Sequence, residues 1–165
     1  MADELEMGYQ SALYINTGTY ETPVWSELDI VRDVSSLDAV DKVDLTTRGT
    51  ARLGYKASGY GLREKGWSSD SLVPAAGETN LAYDALITAQ NAREPVDVLH
   101  VEGGVISTDG LPATRAVCGV FGGAKAEPVG GEASSRAFEL SFIQNSDQGV
   151  PVNGTTSGSA FVPSS

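Results

Sequence analysis

Apolar and polar residues alternate over short stretches through most of the chain, and Gly, Asn, Pro and Ser separate those stretches. Period-two patterning of this kind predicts half-buried β-strands. Ser11 to Asn16 reads as the first strand, ahead of the turn-rich Thr17-Gly18-Thr19 and Glu21-Thr22-Pro23. Leu28 to Val40 alternates in part: Leu28, Ile30 and Val34 share one parity, Asp29 and Asp33 the other. Val96 to Val101, Ala113 to Phe121 and Arg136 to Ile143 complete the set. The last is the cleanest, with Phe138, Leu140 and Phe142 on one face and Glu139 and Ser141 on the other. Gly122-Gly123 and Gly130-Gly131 predict a bulge and the turn of a hairpin running from Ala113 to Ile143.

One segment changes period. From Asn80 to about Ala92, Leu81, Ala82, Ala85, Leu86 and Ala89 form a helical stripe, with Asp84, Thr88 and Asn91 off it. Thr79 or Asn80 can cap its start, and Arg93 followed by Pro95 marks its end. A single short helix predicts a plug or flank for a sheet. Two segments show little periodicity. Gly49 to Gly66 carries five glycines, and 144–165 is polar and Gly/Ser-rich. The expectation is mainly β (α+β): an antiparallel β-sandwich or barrel flanked by one α-helix. It would form a single domain over 1–165, with an N-terminal arm at 1–9, a long inter-strand loop at 48–67 and a C-terminal arm at 144–165.

Composition narrows the function classes. At 165 residues, with 41% hydrophobic residues, the chain can bury one proper core. Its longest apolar runs are far short of the ~20 residues a bilayer span needs. The start, Met1-Ala2-Asp3-Glu4-Leu5-Glu6, is acidic where a secretion signal carries a basic region, so synthesis and folding in the cytoplasm are expected. A net charge of -11 repels phosphate backbones and argues against general nucleic-acid binding. One Cys, Cys118, excludes an internal disulfide, and one Cys with one His cannot build a zinc cluster.

The charge is unevenly spread. Residues 1–47 hold ten acidic side chains against Arg32 and Lys42, a net -8. Residues 48–65 hold Arg48, Arg52, Lys56, Arg63 and Lys65 against Glu64, a net +4. Complementarity within one chain suits self-assembly, a basic loop of one copy meeting the acidic surface of another. Arg48 to Trp67 also interleaves its bases with Tyr55, Tyr60 and Trp67, the look of a single-stranded nucleic-acid groove. The acidic remainder disfavours that reading against a docking loop with aromatic anchors and Arg ion-pair donors. Arg48, Arg52, Tyr55, Lys56, Tyr60, Arg63, Lys65 and Trp67 are thus candidate subunit-interface residues, and a solvated surface loop is the plain alternative.

Catalytic chemistry finds no footing. His100 lies in the apolar run Val96 to Val101, with Asp97 on the opposite parity and no nucleophile motif, and reads as a strand histidine. Cys118 reads as a small buried hydrophobe. Asp38, Asp41 and Asp44 lack the loop that binds Ca²⁺ and read as a solvated acidic edge. Gly59-Tyr60-Gly61-Leu62-Arg63-Glu64 ends in Glu where a dinucleotide fingerprint needs Gly, and Gly122-Gly123-Ala124-Lys125 lacks the phosphate-loop spacing. Asn153-Gly154-Thr155 matches a glycosylation sequon, which means little without a secretion signal. No catalytic, cofactor or metal site is expected.

The run Leu13-Tyr14-Ile15-Asn16-Thr17-Gly18-Thr19-Tyr20-Glu21-Thr22-Pro23-Val24-Trp25-Ser26-Glu27-Leu28, then Ile30 to Val34, resembles the opening of the major tail tube proteins of long-tailed, siphovirus-like bacteriophages. Val43-Asp44-Leu45-Thr46-Thr47-Arg48-Gly49 is similar to their Asp-x-Thr-Thr-Arg-Gly motif ahead of a long loop. Arg136 to Phe142 resembles their closing strand. Gly59 to Gly66 departs from the pattern in its glycine and charge content. The resemblance covers most of residues 10–145. It implies a virion structural protein that forms homohexameric rings stacked into a hollow tube, with inner sheets joined across subunits. The long loop and the arms would reach neighbours. DNA would pass an acidic lumen without specific binding. Tape measure, tail tip and tail terminator proteins are the implied partners. The implied place is the virion tail, after assembly in the host cytoplasm. Alternatives are a tube protein of a contractile injection system, a type VI secretion system or a gene-transfer particle, and a free β-sandwich binding module.

Overall fold

The computed structural model describes residues 10–143 and 150–164. Its strands are β1 (Ala12–Asn16), β2 (Trp25–Glu27), β3 (Val31–Asp44), β4 (Ser58–Leu72), β5 (Val96–Val101), β6 (Pro112–Ala126), β7 (Ser135–Phe142), β8 (Val152–Ser157) and β9 (Ala160–Pro163). Two helices join them, α1 (Arg48–Arg52) and α2 (Leu81–Ala92). All the pairings are antiparallel, in the order β2-β1-β5-β6-β7-β4-β3, with β8 on β6 and β9 on β8.

β6 belongs to two half-sheets. Its first part pairs with β5 on one side and β8 on the other, and from Cys118 it pairs with β7. The sheet folds over on itself. β4 and β5 stand three positions apart, about 14 Å along a flat sheet, yet the Trp67 and His100 rings are 6.0 Å apart. The Leu28–Ile30 segment links the two ends: Leu28 N–H donates to Leu13 O and Leu72 N–H donates to Ile30 O. The expected sandwich or barrel is therefore present.

Burial explains the strand patterns. β1 and β5 are covered on both faces: Leu13, Ile15, Val96 and Val98 join one core under α2, while Ala12, Tyr14, Leu99 and Val101 join a second. That second core is closed by Trp25, Ile106, Leu111 and Phe161. β4 and β7 are covered on one face only, so Phe138 and Leu140 are buried while Glu139 is exposed.

α2 forms where the period predicts it. Asn80 caps it by accepting from Tyr83 N–H at 3.0 Å, and Arg93 ends it in the left-handed conformation. The buried stripe is Ala82, Tyr83, Leu86 and Ala89. Tyr83 replaces the expected Leu81, which faces outward, because its ring packs edge-on against Phe138 at 5.7 Å. The Ala113–Ile143 hairpin also forms, with its register shift between Gly122 and Lys125 and its turn at Val129-Gly130.

Two expectations need correction. The segment 48–67 is not a long loop: it is α1, a short tip and the first part of β4. Thr47 and Thr50 close a capping box on α1. The glycines of β4 hide the strand pattern, yet they are needed. A Cβ at Gly59 would lie 2.5 Å from Leu45 Cδ1, at Gly61 2.9 Å from Val43 Cγ2, and at Gly66 2.5 Å from Leu140 O. The described part of the expected C-terminal arm is not extended either, but forms the β8–β9 hairpin. Gly158 and Ser159 both take positive φ, as a two-residue hairpin turn demands. Thr156 is buried and its hydroxyl accepts from Leu111 N–H at 3.1 Å, which ties the hairpin to the body. The expected arm at 1–9, residues 144–149 and Ser165 lie outside the described residues.

Candidate assembly surfaces

β4 meets β7 only from Gly66 onward, whereas it pairs with β3 from Ser58. The outer halves of β3 and β4 therefore leave the body as a two-stranded ribbon with α1 at its tip. A lone two-stranded hairpin is marginal in water. This one exposes Leu37, Val40, Val43, Leu45, Leu53, Tyr55, Leu62 and Tyr60, the last at 95%.

The candidate interface residues divide three ways. Arg48, Arg52, Tyr55 and Lys56 lie on α1 and the tip, and the three cations make no ion pair among the described residues. Tyr60, Arg63 and Lys65 lie along the ribbon. Arg63 forks the Asp38 carboxylate at 2.8 and 2.7 Å, and Lys65 reaches it at 3.5 Å. Those hydrogen bonds hold the Asp38 carboxyl down at about 2. The charge complementarity of the two segments is thus partly met within one chain, and Asp38, though exposed, is ion-paired. Trp67 falls outside any surface. It is 2% exposed and packs in the core beside His100, because it sits on the covered face of β4.

The sheet also has open edges. Among the described residues no strand pairs with the outer side of β3, nor with β6 beyond Cys118 on the side away from β7. Such edges carry unpaired backbone groups and invite another chain. Between them runs a groove of ≈ 630 Å³ whose lining includes Asp33, Ser35, Ser68, Asp70, Glu139 and Ser141. These residues lie on the face opposite the α2 core, and Arg32 pairs with Asp70 at 2.7 Å. The face carries three carboxylates and several serines beside the apolar Leu37 and Ala137.

A second polar cluster is structural. Arg115 donates to both Asp97 carboxylate oxygens, at 3.1 and 3.0 Å, and to Tyr20 O at 2.7 Å. Its guanidinium lies 3.9 Å from the Tyr20 ring centre and 5.1 Å from that of Trp25. Asn16 Nδ2 adds a bond to Asp97 at 3.1 Å. The ion pair pins the 17–24 loop over β5 and β6. Sequence reasoning noted only Asp97's parity and missed its partner, since Arg115 is 18 residues away.

The remaining motifs lose their chemistry. Burial, then Asp97, push the Cys118 thiol up to about 12, so it stays protonated. Asn153 of the sequon accepts from the Thr114 hydroxyl. Among the described residues no group of three or more His, Cys, Asp or Glu could hold a metal ion, and no helix is long and apolar enough to cross a membrane.

This folded-over antiparallel sheet with one packed helix is similar in fold to chains of solved tail and particle structures. One such structure is the SPP1 tail tube, which superposes with a TM-score of 0.67 at 13% identity, covering 85% of this chain and 77% of that one. A chain of the native gene transfer agent virion gives 0.59 at 13% identity, covering 93% and 100%. A chain from the tail of an empty gene transfer agent particle, of C6 symmetry, gives 0.58 at 14%, covering 81% and 92%. No family model and no curated protein matches the sequence.

Proposed function

We propose that the chain is the structural subunit of a phage tail tube, assembling into hexameric rings that stack into a hollow conduit for DNA ejection. The observation that carries this reading is the likeness to the SPP1 tail tube over 85% of the chain. The open edges of β3 and β6 support it, because joining copies edge to edge would satisfy their backbone groups. In such a ring the acidic groove face turns to the lumen. The Asp33 and Glu139 carboxylates there would repel the phosphate backbone and let the duplex slide. The protein works mechanically and turns nothing over. Tape measure, tail tip and terminator proteins are its proposed partners, the virion tail its place, and the host cytoplasm the site of assembly.

A gene-transfer-particle tube is the second reading, favoured by the complete coverage of the gene transfer agent chain. The same assembly serves both. Sizing chromatography and negative-stain microscopy at low and high salt test the proposal: rings of six or hollow tubes are expected, with tail tips added to start assembly where needed. A monomer at high concentration, even with tips present, would point instead to a free binding module.

A further inference from the structure

We propose that the open mouth between the two half-sheets is a binding site for a small carboxylate with a short apolar body. The site stands apart from the assembly surfaces, and its failure would leave the tube reading untouched. It is a cavity of ≈ 280 Å³, just under the ~300 Å³ at which pockets for drug-sized molecules begin, so its ligand is small. Arg63, Lys65 and Phe142 line it from β4 and β7, and Val150, Pro151 and Asn153 from the start of β8 and the residues before it. Lys65 and Phe142 meet there because each lies one step past the Gly66–Ser141 pair that ends the β4–β7 ladder. Two positions further along β4, on the same face, Trp67 is shut in the core beside His100. The cavity is therefore the outer end of the space between the half-sheets, with two cations in its wall.

Charge and donor geometry select the ligand. Arg63 and Lys65 are two cations on one carboxylate, Asp38, so a unit of positive charge is left over. Arg63 holds Asp38 with a close fork, whereas Lys65 reaches it only at 3.5 Å and places its ammonium 5.8 Å from the Trp67 ring centre. The Lys65 side chain is nevertheless only 17% exposed, which leaves little water for its three N–H donors. A shielded ammonium with one long hydrogen bond gains from a further anionic acceptor. On the opposite wall, Asn153 Oδ1 accepts from the Thr114 hydroxyl at 3.1 Å, and its Nδ2 is the donor left for the cavity. Cations facing an amide donor suit one carboxylate, and among the described residues no acid lines the cavity to supply it. Phe142, Val150 and Pro151 add apolar surface that a bare ion would leave wet, so the carboxylate carries a short hydrocarbon group.

The test is isothermal titration calorimetry on the full-length protein with three probes: hydrocinnamate, its neutral analogue hydrocinnamyl alcohol, and inorganic phosphate. Hydrocinnamate is expected to bind at least about tenfold more tightly than either of the others, since only it meets both the cations and the apolar wall. This ranking is read on the wild type and needs no variant to fold. Lys65→Met and, from the opposite wall, Asn153→Leu are each expected to weaken hydrocinnamate at least about fivefold, within the scale of a hydrogen bond to a charged group. Arg48→Glu, out at the tip, should leave its affinity unchanged. Equal affinity for the acid and the alcohol would overturn the site, as would phosphate binding as tightly as hydrocinnamate. No saturable heat by about 10 mM hydrocinnamate, weaker than the millimolar scale, would do the same. So would Lys65→Met and Asn153→Leu proteins that unfold cooperatively on heating and keep the wild-type affinity.

Discussion

At the scale of single residues, the ribbon turns on what glycine lacks. Gly59 and Gly61 leave room for Leu45 and Val43, and a Cβ at either position meets a side-chain carbon closer than 3.0 Å. Gly61→Val is expected to splay the two strands at a cost of about 1–3 kcal/mol. Hydrogen exchange confined to 41–62 reads that change, with the α2 core unaffected. Asp38 offers a pH handle on the same element. Its folded pKa is depressed to about 2 by the Arg63 hydrogen bonds. Its stabilising contribution is therefore present above the unfolded value near 4 and lost as pH falls through about 2. An NMR titration of the Asp38 carboxyl should show that low midpoint, and Arg63→Gln should move it toward the ordinary carboxylate range. A normal midpoint in the wild type would mean that the fork does not persist in solution.

Asp97 and Arg115 matter in the opposite direction, through burial. Their side chains are only 9% and 13% exposed, so Arg115→Met strands a carboxylate in the body of the sheet. Losing one partner of such a pair costs about 3–5 kcal/mol, and thermal denaturation should show it as a clear drop in Tm. Replacing Asp97 as well should recover much of the loss. Cys118, fully buried and pushed up to about 12, is expected to resist alkylation at pH 8 until the protein unfolds. Fast labelling of the native protein would show that the β5–β6 core opens locally.

At the scale of elements, legibility follows burial. β5 is read from the sequence with its own boundaries, and β7 to within one residue, because their patterns reflect fixed neighbours: two cores for β5, one core and open water for β7. α2 is equally legible, since an apolar stripe with Asn80 before it and Arg93-Pro95 after it needs no distant partner. β4 and β8–β9 are not. Gly59, Gly61 and Gly66 carry no side chain to alternate, and their demand for close approach exists only once β3 and β7 lie beside them. The Gly158-Ser159 turn was a usable hairpin signal, but polar Thr155 and Ser157 around it gave no apolar face to confirm a strand. Thr156 becomes a core residue only because the 103–111 loop covers it.

For the whole molecule, the balance of charges governs association. A net -11 favours monomers at low ionic strength, while Arg48, Arg52 and Lys56 on each copy would attract the acidic surface of a proposed neighbour. Moderate salt is therefore expected to promote edge-to-edge joining by screening repulsion, and high salt to weaken docking by the tip. Mass per particle against salt concentration should pass through a maximum. In the triple Arg48, Arg52, Lys56→Glu variant the falling limb at high salt should vanish. A monotonic rise in both proteins would assign association to apolar contact alone.

The sequence by itself determined the β-rich class, the position of α2, the acidic character and the absence of a disulfide framework, because composition, period and end-capping act locally. It also marked 48–65 as the basic segment of an acidic chain. Only the tertiary structure decided which of those cations are free. Pairing β3 with β4 brings Arg63 and Lys65 onto Asp38 across the ribbon, while Arg48, Arg52 and Lys56 stay at the tip beyond reach of any acid among the described residues. The fold of β4 over β5 took Trp67 into the core. Register and closure set those distances, and neither is written in any one segment of the chain.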